Sequence, residues 1–231
     1  DNRPITRGTQ ISETNKTDME TFALSAYTDA TGTPDFMYNE TVTLNKDEGR
    51  WYPTGTYYWP GKKQLSFYAW FPSAADGMTL TGNTVPGAPV MTYTVPGDVK
   101  KQQDVMSAKV IGKDNPTLAD GFATTDLTFN HALSAVKFVA GDDLPNCVVK
   151  SIKLDGVRYK GTYTLGTDAW TLTDDTQAFT LRLNKVVAGN GGAITEDGKG
   201  ETLFMMPQTL SDDAKIEVVL NDGTADFTVG A

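Results

Sequence analysis

Few residues of this chain are of a type that could do chemistry, and each has a plain structural alternative. His131 is the only histidine. A lone histidine can act as general base for a serine or aspartate partner. Here no G-x-S-x-G elbow and no second histidine accompany it, so it reads as a structural hydrogen-bonding residue. Cys147 is the only cysteine, which excludes an internal disulfide and, with a single histidine, leaves no set for structural zinc. It opens an apolar strand in PNCVVKS, the setting of a buried, inert thiol. The pairs Asp142-Asp143, Asp174-Asp175 and Asp212-Asp213 lack the alternating ligand spacing of a calcium loop and read as solvent-facing turns. The expectation is a chain with no catalytic, cofactor or metal site. A hydrolase would need a carboxylate pair that spacing alone does not place in space.

The richest cluster is aromatic. Trp51, Tyr52, Tyr57, Tyr58, Trp59, Tyr68 and Trp70 fall within 20 residues. Such rings form a surface that stacks on sugars, with Trp51, Tyr58 and Trp59 as the candidate ligand surface, or they fill a sandwich core or a domain interface. Both readings stand at this level. The glycine-rich AGNGGAITEDGKG lacks the Lys-Ser/Thr ending of a phosphate loop and reads as a flexible hairpin loop. Net charge is −9, from 20 basic and 29 acidic residues. No basic stripe is present to neutralise phosphates, so nucleic acid and anionic membrane surfaces are poor partners.

The elements carrying these residues are strands. Long windows with apolar residues at helical spacing are missing, whereas alternation with period two recurs. In TFALSAY, Phe22, Leu24 and Ala26 share one face; in KQLSFYAWF both faces are apolar, so that strand is covered on both sides. Val136 and Phe138, Ile152 and Leu154, Phe179 to Leu183, and Ile216 to Leu220 each alternate with polar residues, as half-buried antiparallel strands do. Turn residues punctuate the runs at Asp29 to Pro34, Asp47 to Gly49, Pro60-Gly61, Pro96-Gly97, Asp155-Gly156, Asn190 to Gly192 and Asp222-Gly223. With 39% hydrophobic residues, a chain of 231 residues builds a real core. The fold class is all-β: a flexible leader over 1–19, an N-terminal β-sandwich over 20–130 after the strand LTF, and a C-terminal one over 131–231, each of six or seven strands. No apolar stretch approaches the roughly 18 residues that cross a bilayer. The start at Asp1 reads as processed, with an export signal removed. The closing hairpin should feed a further strand, so the second domain reads as cut short.

Four motifs in order carry a resemblance: Tyr58-Trp59-Pro60 followed by LSFYAWFP, then QQDVMSAK, LTFNHALSAVKF and LFMMPQTL. Together, over roughly residues 20 to 221, the chain resembles the fimbrillin family, the type V pilin-like and fimbrial accessory lipoproteins of Gram-negative anaerobes. The resemblance implies two tandem transthyretin-like sandwiches, export as a lipoprotein, and a place in fimbriae at the outer membrane. It implies a non-enzymatic structural or adhesive subunit whose partners are other subunits and a surface receptor or glycan. Subunits of this kind join by strand exchange: an Arg-specific protease frees the first strand, and a neighbour's strand fills the groove. Here the exchangeable strand is the one bearing Phe22, Leu24 and Ala26, and the candidate cleavage residues are Arg50 and Arg7. The competing reading is a carbohydrate-binding surface module.

Overall fold

A computed structural model describes residues 10–115, 124–188, 191–196 and 199–230. Four strands open the chain: β1 (Thr21–Tyr27), β2 (Met37–Asn45), β3 (Arg50–Pro53) and β4 (Leu65–Phe71). Then come β5 (Met78–Leu80), β6 (Val90–Thr94), β7 (Met106–Lys113), β8 (Asn130–His131) and β9 (Ser134–Val136). The remainder are β10 (Cys147–Arg158), β11 (Lys160–Thr164), β12 (Ala169–Leu172), β13 (Thr176–Val187), β14 (Leu203–Met205), β15 (Lys215–Asn221) and β16 (Asp226–Gly230). Helix among the described residues is limited to two 3-10 turns, Lys16–Asp18 and Val99–Lys101. The protein is all-β and its strand pairs are antiparallel.

The strands form a six-stranded sheet, β3-β2-β1-β4-β7-β8, two four-stranded sheets, β12-β11-β6-β5 and β13-β10-β15-β16, and a ribbon of β9 with β14. The first sheet is buried on both faces. Alternation on β1 sends Phe22, Leu24 and Ala26 to one side and Ala23 and Tyr27 to the other; Leu65, Phe67 and Ala69 oppose Tyr68 and Trp70 on β4 in the same way. On the second side lie Met91 and Tyr93 of β6 and Tyr163 of β11, which make the sandwich with the β12-β11-β6-β5 sheet. The first side is roofed by Ile11, Met19, Trp51, Tyr57, Trp59, Leu127 and Phe129. Residues 10–19 of the expected leader are thus packed: Ile11 and Met19 are buried, and Trp51 Nε1 donates to the Met19 carbonyl at 2.8 Å. A third core of Cys147, Val149, Ile152, Val187 and Leu220 lies on the β10–β13–β15 sheet.

Three expected features take a different form. Asp155-Gly156 does not end a strand but sits inside β10, where the register shifts between Leu154 and Val157. Gly156 holds φ 71 and passes so close to the next chain that a Cβ would lie 3.0 Å from the Asp213 carbonyl oxygen. The dipeptide makes a bulge that bends a long strand. LTF is not a strand either: Leu127 and Phe129 plug the roof, with Phe129 edge-on to Phe22 at 5.1 Å. In the glycine-rich segment the described residues Ile194 and Thr195 are buried, and Thr195 Oγ1 accepts the Phe138 amide at 2.9 Å. Strands from both sides of residue 130 share a sheet, since β6 pairs with β11 from Thr94↔Lys160 to Val90↔Thr164.

Candidate assembly surface

β1 is an interior strand, hydrogen-bonded to β2 on one side and β4 on the other. Phe22, Leu24 and Ala26 are buried in the roofed core, so withdrawing this strand would open a groove with apolar pockets at alternate positions. Arg50 is exposed at the start of β3, just after the Asp47–Gly49 turn. A cut there would sever the chain after both β1 and β2. Arg7 lies outside the described residues.

The aromatic cluster is divided between the two faces of the first sheet. Tyr68 and Trp70 are buried in the sandwich core. Trp51, Tyr57 and Trp59 pack on the opposite side. Trp59 gives its indole N–H to the Lys63 carbonyl at 2.7 Å, and its ring lies 6.2 Å from Phe67. Tyr58 is 84% exposed and stands apart from them. Trp51, Tyr58 and Trp59 are therefore neighbours in sequence without forming one flat platform.

A strand edge carries a row of unpaired amides and carbonyls with which another chain could pair. Most edges here are short: β3, β5, β8 and β12 have two to four residues. β13 is long, but its pairing with β10 breaks at a register shift, Asn184 there takes φ 51, and Lys185 is pinned to Glu196 at 2.6 Å. These are devices that blunt an edge. Among the described residues, β16 has none of them. Its five residues pair without a break from Asp226↔Asn221 to Gly230↔Glu217, and Asp226 is its one charge. Phe227 and Val229 lie opposite Leu220 and Val218 and so extend the third core's face, yet they are 40% and 46% exposed. The hairpin feeding this edge is fixed by Asp222, whose carboxylate accepts the amides of Thr224 at 2.9 Å and Ala225 at 3.1 Å. With the Thr224 hydroxyl, these bonds draw its pKa down to about 2.

The family model for fimbrillin-like proteins matches residues 6–231. The chain belongs to the fimbrillin-like family. Among solved structures, this fimbrillin-like fold is similar to a fimbrial protein from Bacteroides vulgatus at 19% identity and TM-score 0.67, over 91% of this chain and 80% of that one. A proposed cell adhesion protein from Bacteroides uniformis is similar at 18% identity and TM-score 0.58, over 91% and 77%. One from Bacteroides ovatus is similar at 16% identity and TM-score 0.61, over 91% and 75%. No curated protein matches the chain.

Three of the four motifs that carried the resemblance meet in the fold. His131 Nδ1 lies 3.0 Å from the carboxylate of buried Asp104, which also accepts the Ile11 amide at 2.8 Å. Burial pushes the Asp104 carboxyl up, against the hydrogen bonds from His131 and Ile11. Buried Gln102 accepts the Phe204 amide at 2.8 Å and donates to the Pro96 carbonyl at 3.0 Å. QQDVMSAK is thereby tied to FNHALSAV through Asp104 and to LFMMPQTL through Gln102. Asp104 and Gln102 are sites that spacing did not single out, because their partners lie 27 and 102 positions away. Cys147 is buried, and no group of three or more metal-binding side chains occurs among the described residues.

Proposed function

We propose that this fimbrillin-like protein is a fimbrial subunit, displayed at the cell surface, that joins its neighbours by a β-strand added to a sheet. The observation that carries the reading is the β16 edge, which is unpaired among the described residues and leaves Phe227 and Val229 uncovered on its core-side face. An incoming strand would satisfy the free backbone groups, each bond worth about 1 kcal/mol net. Covering the exposed parts of Phe227 and Val229 would add about 2 kcal/mol. The similar fimbrial and cell adhesion proteins support the same role. Strand exchange is the stronger form of this bond: cleavage at Arg50 frees the piece that carries β1 and β2, and a neighbour's strand takes the place of β1 beside β4, whereas a cut at Arg7 would only trim the leader. Lipid anchoring at the outer membrane belongs to the same proposal.

Electron microscopy of the purified protein tests the edge. Filaments are expected from the native chain and are lost in Phe227→Lys with Val229→Lys, while the melting temperature stays within a few degrees because both residues are surface-exposed. Undiminished filaments in the double variant sink the edge reading. Mass analysis of assembled subunits separates the routes, since residues 1–50 found intact and uncut would rule out exchange of β1. Fatty-acid labelling of the surface protein tests the anchor.

A further inference from the structure

At one side of the sandwich the short edge β8 meets the edge strand β12, and the Trp170 indole N–H reaches the Ala132 carbonyl at 2.6 Å. A cavity of about 380 Å³ opens there, lined by Asn130, His131, Tyr163, Asp168, Trp170 and Pro207. Small-molecule sites span roughly 300–1,000 Å³ and combine apolar walls with a few fixed polar groups. The apolar wall is the Tyr163–Trp170 pair, with ring centroids 5.0 Å apart and planes 48° apart.

The polar groups are held from behind. His131 spends Nδ1 on buried Asp104, which leaves Nε2 as the nitrogen free to meet a ligand on a side chain 37% exposed. Asp168 sits in the β11–β12 turn at φ 52. Lys109 Nζ approaches one of its carboxylate oxygens at 2.7 Å, and the Tyr163 hydroxyl donates to the other at 3.2 Å. Tyr163 is in turn braced by buried Ser107 at 2.9 Å, and Lys109 by the Gly166 carbonyl at 2.7 Å. Asp168 is still 40% exposed, so its carboxylate retains lone pairs for a further donor. Asn130, exposed beside them, offers one acceptor and two donors.

The charges decide the ligand class. Asp168 already has Lys109, and His131 already has Asp104. The site offers acceptors and donors with no uncompensated charge, which disfavours a cation or an anion and suits a neutral, hydroxyl-rich molecule. Hydroxyls both give and accept hydrogen bonds, and the C–H face of a sugar ring is apolar enough for an aromatic wall. We propose that this cavity binds one neutral pyranose ring, with Asp168, Asn130 and His131 on its hydroxyls and Trp170 against its ring. The proposal uses none of the residues of the β16 edge and stands whether or not filaments form.

The test is titration of the full chain with the methyl glycosides of glucose, galactose and mannose and with N-acetylglucosamine, followed by calorimetry or NMR, alongside an array of larger glycans. Saturable binding with Kd on the order of 1 mM is expected for a single ring. Asn130→Ala and Asp168→Asn should each weaken it by at least about fivefold, the loss of one hydrogen bond; asparagine tolerates the left-handed backbone at 168. Trp59→Ala should leave it unchanged. Binding to array glycans without monosaccharide binding would support the site and assign the source to a glycan chain. Absence of both kinds of binding overturns the proposal, as would binding indifferent to both variants, or a preference for acetate or methylammonium over the sugars.

Discussion

Asp104 is a carboxylate with 1% of its side chain exposed, and it fastens two distant pieces of chain. It accepts the Ile11 amide, which anchors residues 10–19 under the roof of the first sheet, and it holds the imidazole of His131 on β8. Removing the carboxylate strands the buried Ile11 amide and releases the half-exposed imidazole. Asp104→Ala should therefore cost about 3 kcal/mol in urea unfolding, and Asp104→Asn, which keeps an acceptor, about 1–2 kcal/mol. The pH dependence has a definite sign. Burial raises this carboxyl above 3.8 in the folded chain, so over the window from 3.8 up to the raised value the folded state keeps a proton that the unfolded state has lost. The burial penalty is complete above that window and is relieved as pH falls through it. The native protein should gain stability relative to Asp104→Asn as pH drops toward 3.8; a gap that does not change with pH would refute the assignment. In sequence, His131 was legible as a hydrogen-bonding residue, but its partner was not, since nothing local links position 131 to position 104.

Strands were legible wherever alternation and length agreed. TFALSAY became β1, and LSFYAWF became β4 with every residue buried, because two apolar faces need cover on both sides whatever supplies it. Turn chemistry was the weaker guide. Asp-Gly at 155–156 promised a hairpin and produced a bulge, since a glycine that permits positive φ serves either purpose and the partner strands decide which. Asp222-Gly223 did close a hairpin, between β15 and β16. There the aspartate's low pKa comes from bonds that exist only in the folded turn. A carboxyl lowered on folding contributes stability that is present above 3.8 and is lost as pH falls through about 2. The amides of β16 should then lose hydrogen-exchange protection as pH is brought from 4 to about 2, ahead of those of β10, once intrinsic exchange rates are divided out. Asp222→Ala should remove that pH dependence; an edge equally protected at both ends of the range would show that the turn does not hold it.

On the scale of the whole molecule, the sequence suggests a joint near residue 130. What spacing cannot show is how much returns across that point. β6 pairs with β11 over five residues. Ser107 bonds Tyr163, Lys109 bonds Asp168 and Gln102 bonds Phe204. One core holds Tyr27, Trp70 and Tyr93 together with Phe179 and Phe204. Residues 131–231 alone would leave β11 without β6 and expose Tyr163, Phe179 and Leu203, a burial loss of roughly 1.5–3 kcal/mol for each large side chain. The largest core is thus shared by both halves, so unfolding should be a single cooperative transition. Tryptophan fluorescence reports mainly the first part, since three of the four tryptophans precede residue 71, whereas exchange of the β10 and β13 amides reports the second. The two probes should give coincident urea midpoints. Separated midpoints, or a fragment 131–231 that folds alone, would establish two independent domains and confine the cross-chain bonds to their interface.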